Sequence, residues 1–293
     1  MNRLICVLIL LLLAPAPLFA EETVIRVRPP QGPDDASHDY YLKLLQLALD
    51  KTCAKYGPAS IKVTNFNVAQ GRALMELGSG GAINVDWAGT NRQREQDLLP
   101  VRIPLIGGLL GYRVPVICKK FTADFSKIRS LADLRKYTAV QGSHWPDSDI
   151  LEHAGLKVYR VPNFSFMYDM VQKCRVDYFP RGVNEVYAEQ TQVADRGLVA
   201  FDSLLIAYPL PMYFFTSRAD GPLAKRIETG LREAIKDGSF LELMKNHPVT
   251  APLFPLSKYD DAVILHLENP FLPKQTPLQD ATLWLRLGRD ARP

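Results

Sequence analysis

The sequence predicts an α/β protein built as two units, the second inserted into the first. Three observations support this. Apolar stretches with period-two alternation are separated by stretches with three- and four-residue spacing, the pattern restarts after Phe121, and a strand-like run returns at Met212–Thr216 before another helix. A chain of 293 residues has ample length for one large or two moderate domains with real cores.

In the first unit, Val24 to Val27 reads as a short strand ended by the loop Pro29-Pro30-Gln31-Gly32-Pro33. Tyr41, Leu44, Leu45, Ala48, Leu49 and Thr52 recur at helical spacing, and Gly57-Pro58 stops the helix. Ile61 and Val63 begin a second strand. Ala69, Ala73, Leu74 and Leu77 mark a short helix closed by Gly78. Ile83, Val85 and Trp87 then alternate with Asn84 and Asp86 as a third strand, which ends at the turn Gly89-Thr90-Asn91. Gly78-Ser79-Gly80-Gly81 lacks the Lys-Ser/Thr of a phosphate loop and reads as a turn.

The second unit repeats the alternation. Ser130-Leu131-Ala132-Asp133 has the form of a capping box, Thr138 to Gln141 a strand, and Gly142-Ser143 a turn before a helix running through His153 to Gly155. Lys157–Val161 is a strand, and Phe166, Met167, Met170 and Val171 form a helical stripe. Val176 to Phe179 is another strand, followed by a helix from Val183 to Val193. After Tyr208-Pro209-Leu210-Pro211, the strand Met212–Thr216 is expected to pair with the stretch near Arg113 to Cys118 and return the chain to its first unit. A helix from Pro222 to Lys236 follows, and Gly238-Ser239-Phe240 opens another. Proline-rich surface text ends in a short helix over Ala281 to Leu287.

Composition bounds the function. Apolar residues make up 47% and charged residues 23%, ordinary for a soluble globular protein. The formal net charge of +4 is scattered without the basic patch of a nucleic-acid binder, so no nucleic-acid partner is expected. Arg3, the apolar run Leu4 to Leu13 and the small residues up to Ala20 have the layout of a secretory signal peptide. Cleavage after Ala20 would leave a free, soluble monomer in the periplasm. Cys53, Cys118 and Cys174 then remain, an odd number, and are read as small buried hydrophobes. The five histidines form no metal-binding cluster, and neither a metal nor a cofactor is expected.

The candidate site centres on the turn after the third strand, because polar groups at the carboxyl end of a strand in an open α/β sheet are where ligands sit. Arg94 next to this turn could clamp a carboxylate through two parallel hydrogen bonds, with the Thr90 hydroxyl as a further donor. From spacing alone, Arg92 and Arg94 read first as the solvated face of a short helix, with Glu95 and Asp97 as neighbours. Tyr40 either covers a ligand with its ring or packs on the core.

The run from Gly89-Thr90 to Arg94-Glu95, then Pro104 and Gly107-Gly108, resembles bacterial extracellular solute-binding proteins of the amino-acid-binding family. So does the order Ser130-Leu-Ala-Asp-Leu, Val140-Gln-Gly-Ser143, Cys174-Arg-Val-Asp177. The resemblance implies the two-lobed type II periplasmic-binding-protein fold: 1–20 a leader, 21–115 and 209–293 the first lobe, 116–208 the second, joined by two hinge strands that let the lobes close. It implies a carboxylate-bearing small solute delivered to an inner-membrane transporter or sensor. Thr90 and Arg94 would hold the carboxylate, the turn at Ser143 would donate backbone N–H groups, and His144 and Trp145 would form walls; Ser143 on its own also reads as an ordinary N-cap. Where the family places an acid for the ligand's ammonium, this chain has Phe179-Pro180-Arg181-Gly182. Arg181 in the cleft, with no obvious counter-acid, would favour a dicarboxylate or other anion, and Glu185 is the candidate to receive an amine. The fold also carries dehydratase-like lyases and partner-binding sensory modules, but no nucleophile–base pair or metal set is visible, and the expectation is a binding protein.

Overall fold

A computed structural model describes residues 22–30, 35 and 37–288. The expected leader and its cleavage point, and residues 31–33 of the first loop, lie outside the described residues.

The strands are β1 Thr23–Val27, β2 Ala59–Val63, β3 Asp86–Gly89, β4 Leu99–Val101, β5 Tyr112–Cys118, β6 Thr138–Gly142, β7 Lys157–Val161, β8 Tyr178–Gly182, β9 Leu198–Ala200, β10 Leu204–Ala207, β11 Met212–Thr216 and β12 Val263–His266. In the first layer β1 pairs with β2 in parallel, and β11 lies antiparallel between β3 and β4. The Asn84 and Val85 N–H groups both donate to Arg26 O, which lays the approach to β3 along β1. The second layer is a single sheet that runs β12-β10-β5-β8-β6-β7, with β9 also paired to β5. Helices pack on both layers, as the alternating pattern predicts.

The first layer is covered by the helices Ser37–Lys51 and Gly221–Lys236, which bury Tyr41, Leu44, Leu45 and Leu49 with Leu223, Ile227 and Leu231. Their approach depends on Gly230, because a Cβ there would stand 1.9 Å from Ala48 O. Arg226 fixes the second helix by donating to Gly57 O at 2.6 Å.

Several expectations are corrected. The third strand starts at Asp86, not Ile83. Asn84 turns its amide back onto β1, accepting from Arg26 N at 2.6 Å and donating to Val24 O, so the stretch before Asp86 is a bridge held by a side chain. The strand Met212–Thr216 does not pair with Arg113–Cys118. It joins β3 and β4, while Tyr112 and Arg113 pair with Ala207 and Ile206 of β10 on one side and Arg113 with Gly182 of β8 on the other. Pro209 and Pro211 explain the split, since proline cannot donate to a ladder and the chain must break pairing between β10 and β11. The connection between the layers therefore runs through residues 208–211 beside Gly111, with Tyr208 N donating to Gly111 O and Thr90 N to Pro211 O.

The helix expected from Val183 to Val193 is two helices, Val183–Ala188 and Gln190–Asp195, broken at Glu189. Ala281 to Leu287 holds only a single 3₁₀ turn, Ala281–Leu283, and the C-terminal text contributes β12, which the pattern did not reveal. The cysteines are not buried. Cys53 and Cys174 are exposed and Cys118 is half-buried. The first helix ends at Lys51, and the separate turn Cys53–Tyr56 rotates Cys53 off the apolar face. Among the described residues no helix is long and apolar enough to cross a membrane.

Candidate functional site

The turn after β3 leads into the helix Arg92–Asp97, and the Asn91 side chain caps it by accepting from Arg94 N at 2.8 Å. The cap fixes Arg94 in the first turn and aims its guanidinium back across the strand end. Its Nη1 donates to Gly89 O at 2.5 Å, and its Nη2 donates to Gln70 Oε1 at 3.1 Å and His144 O at 3.3 Å. All three acceptors are neutral. Desolvation brings the Arg94 pKa down to about 10, with Asp147 and Asp86 pulling the other way from a distance.

Thr90 is buried and its donors are engaged. The hydroxyl donates to Glu95 Oε1 at 2.8 Å and the N–H to Pro211 O at 3.0 Å. Glu95 in turn takes Arg102 on its other oxygen at 2.6 Å. Thr90 thus ties the turn to the connection between the layers.

Across from Arg94, the Gly142-Ser143 turn leads from β6 to the helix Pro146–His153. The Ser143 N–H donates to Val161 O, prolonging the strand contact, and His144 is exposed with its carbonyl turned to Arg94. In the first turn of this helix Asp147 is buried. Its Oδ1 accepts from Arg113 Nη2 at 2.6 Å and from the Tyr208 hydroxyl at 2.5 Å. Burial raises the Tyr208 hydroxyl pKa well above its ordinary value, and the Asp147 charge adds to the rise, so Tyr208 stays a donor.

Arg181 on β8 has two counter-acids, which corrects the expectation that it has none. Nε and Nη2 donate to Glu189 at 2.9 and 2.6 Å, and Nη1 reaches Glu185 at 3.1 Å. The rings of Phe164 and Phe179 lie 5.1 Å from its guanidinium carbon and that of Trp145 5.7 Å. Glu189 also accepts from the Tyr168 hydroxyl. Burial pushes the Glu189 carboxyl up against the pull of Arg181. Burial works on Glu185 in the same sense, but Arg181, Arg113 and the Gly182 N–H outweigh it and hold that carboxyl below its usual range. Glu185 Oε2 accepts from Gly182 N at 2.9 Å and faces Arg113 Nη1 at 3.4 Å.

Tyr40 takes the core position. It is 1% exposed and its hydroxyl donates to Leu105 O at 2.8 Å. The neighbouring Tyr41 stands closer to the charged cluster: its ring is 5.3 Å from Trp87, and it feels the charges of Glu185 and Arg113. Under Trp87, Arg28 lies with its guanidinium carbon 5.0 Å from the ring, and its Nε donates to Asp86 Oδ1 at 2.7 Å. Burial raises the Asp86 carboxyl despite Arg28 and the Trp87 N–H.

The structure thus brings Arg94 and the His144 carbonyl together, and Arg181 with Glu185. It engages Thr90 and the Ser143 N–H elsewhere and moves Tyr40 into the core. Sequence reasoning missed Arg28, Asp86, Arg113, Asp147, Glu189 and Tyr208. A signal existed for two of them: Asp86 and Arg113 are charged residues inside apolar strands, and a charge there has to be paired. Among the described residues no cluster of His, Cys, Asp and Glu has the makings of a metal site.

No family model and no curated protein matches the sequence. Solved structures do resemble the fold. An arginine-specific periplasmic binding protein from Salmonella typhimurium aligns with a TM-score of 0.56 at 11% identity, over 77% of this chain and 99% of that one. A histidine kinase sensor domain with similarity to periplasmic binding proteins gives 0.56 at 13% identity, over 78% and 96%. An ancestral amino-acid-binding protein, described as a precursor of cyclohexadienyl dehydratase, gives 0.52 at 14% identity, over 76% and 94%. The chain has the α/β fold of amino-acid-binding periplasmic binding proteins.

Proposed function

We propose that the protein is a periplasmic solute-binding protein that closes two lobes on a small amino-acid-like solute, for delivery to an inner-membrane transporter or sensor. The observation that carries this reading is the state of Arg94: a partly buried guanidinium held by three neutral oxygens, with no carboxylate among the described residues bonded to it. A buried charge without a counter-charge is costly, and a ligand carboxylate supplies one through charge-assisted hydrogen bonds. The ligand's ammonium falls to the acidic side of the site, where Asp147 and Glu185 lie. Arg181, neutralised by Glu185 and Glu189, positions Glu185 instead of receiving a second carboxylate, which favours an amino acid over a dicarboxylate. The similarity of fold to amino-acid-binding proteins supports the same reading.

The test is a thermal-shift screen of the chain from Glu21 onward against amino acids, dicarboxylates and the corresponding amines lacking a carboxylate. A ligand at a hundred times its Kd adds about 2.7 kcal/mol to stability. Stabilisation by amino acids that disappears in Arg94→Ala is the expected result. Equal stabilisation by amines lacking the carboxylate, or an unchanged response in the variant, would remove Arg94 from the site. Incubation of any stabilising solute with the protein, followed by chromatography, should return it unchanged.

A further inference from the structure

Four buried side-chain atoms in this region have no hydrogen-bond partner: Arg28 Nη1, Asp86 Oδ2, Arg113 Nε and Asn184 Oδ1. The other such atoms among the described residues belong to Tyr178, Tyr213 and Thr276. The four are linked through the site. Asn184 Oδ1 converges at Gly182 with the Arg113 guanidinium, through the Nη1 that faces Glu185; a Cβ there would lie 3.1 Å from each. Asp86 and Arg94 feel each other's charge, and Arg28 and Tyr41 both lie against the Trp87 ring. Buried polar atoms are nearly always paired, and an unmade bond at such a place costs the full desolvation of the group.

Arg28 and Asp86 are the informative pair. Their side chains are 4% and 0% exposed, yet they are joined by a single contact, Nε to Oδ1 at 2.7 Å, with Asp86 Oδ1 also accepting from Trp87 N. One guanidinium donor and one carboxylate acceptor are left over. A single ligand group that both accepts and donates would satisfy the two together; hydroxyl, imidazole, carboxamide and ureido groups can all do so, and of these the carboxamide and the ureido group carry acceptor and donor side by side on one planar edge, as a guanidinium and a carboxylate present theirs. The charges agree. Four guanidiniums, of Arg28, Arg94, Arg113 and Arg181, face four carboxylates, of Asp86, Asp147, Glu185 and Glu189, all four of which are bonded to the other three arginines and none to Arg94, so a zwitterion whose carboxylate meets Arg94 leaves the net charge of the cluster unchanged. A dicarboxylate or a dibasic amino acid would not.

Resting on the solute-binding reading above, we infer that the Arg28–Asp86 pair is the side-chain subsite and that the solute is a zwitterionic amino acid with an uncharged amide-type side chain. A site built to hydrogen-bond a substrate group rejects the analogue lacking it far more strongly than an apolar pocket rejects a misfit.

Titration calorimetry on the chain from Glu21 onward, which contains every described element, tests this with L-glutamine, L-asparagine, L-citrulline, L-glutamate, L-lysine and L-methionine. The amide or ureido compounds should bind best, with glutamate, lysine and methionine each at least about 100-fold weaker. Methionine or a charged amino acid binding as tightly as the best amide would overturn the subsite while leaving the solute-binding reading intact. Failure of all six overturns the reading and the subsite with it. In Asp86→Asn, Arg28 loses its counter-charge and the preference should move toward glutamate. In the double variant Arg28→Met/Asp86→Leu, which removes both charges together, methionine should bind as well as or better than glutamine. Wild-type selectivity persisting in the double variant would place the ligand's side chain elsewhere.

Discussion

Arg94 and Arg181 are both buried to some degree and both lie in the candidate site, yet they have opposite surroundings. Arg181 is saturated, with a two-point contact to Glu189, a third to Glu185 and aromatic rings over its faces. Among the described residues Arg94 has a main-chain carbonyl from its own strand end, a glutamine amide oxygen and a carbonyl from the Gly142-Ser143-His144 turn. A guanidinium whose charge is matched within the protein is part of the scaffold. One whose hydrogen bonds are made but whose charge is unmatched is prepared for an anion from outside. Counting arginines near a cleft is therefore uninformative until the carboxylates around each are known.

The strongest way to break the contrast is to remove Arg181. In Arg181→Met the buried Glu185 and Glu189 lose their counter-charge, and the expected loss is about 3–5 kcal/mol of folding stability, read by urea denaturation. If instead the variant folds normally and only its ligand affinity falls, Arg181 belongs with Arg94 as a ligand contact. Replacing Arg181 together with Glu189 by apolar residues should recover much of the loss, because the uncompensated charge goes with its partner.

Tyr208 supplies an intermediate case. It links the connection between the layers to the first turn of a helix of the second layer by donating to Asp147, which also holds Arg113. Tyr208→Phe leaves Asp147 with one charged donor and should cost about 1–3 kcal/mol. Asp147→Asn should change the effect of Tyr208→Phe in a double-mutant cycle. Strict additivity of the two would mean that the 2.5 Å contact contributes nothing to stability.

The two acids around Arg181 should titrate in a definite order. Glu189, raised by burial, takes up its proton first as the pH falls. Native protein then binds that proton more readily than the unfolded chain, so its contribution becomes more favourable on acidification. Glu185 behaves oppositely. Its contribution is fully present above the ordinary carboxylate range and is lost only as the pH falls through its depressed value. Carboxyl-detected NMR with assignments from Glu189→Gln should find Glu189 titrating at the higher pH, and the reverse order would contradict the geometry described here.

What was legible in the sequence follows the range of the interactions that decide it. The helix Ser37–Lys51, the capped turn at Ser130 and the α/β alternation depend on neighbours within a few residues, and their spacing exposes them. Arg94 was found because a strand, a turn and a helix start are local signs. Of the counter-acids of Arg181, Glu185 is a neighbour four residues on, but Glu189 lies eight residues on at the break between two helices, which the apolar spacing did not reveal. The Arg28–Asp86 pair joins residues 58 apart. The β10 to β11 split shows the same limit: the prolines were visible, but which sheet each strand enters is decided by partners far away in the chain. Tyr40 and Tyr41 are both buried, but one helical position sends the Tyr40 hydroxyl to Leu105 O and sets Tyr41 against Trp87, near the charges.

The smallest effect expected is on the unliganded protein carrying Arg94→Met. Removing this side chain takes one donor from each of Gly89 O, Gln70 Oε1 and His144 O. His144 is exposed and Gln70 half-buried, so water can replace the guanidinium at both, and the loss concentrates on the Gly89 carbonyl. Against that loss stands the relief of an unmatched charge from a partly desolvated place. The two terms oppose each other and should leave folding stability within about 1 kcal/mol of wild type, while the same change removes ligand-induced stabilisation. A large destabilisation without ligand would make Arg94 a structural residue like Arg181, and the contrast between them would vanish.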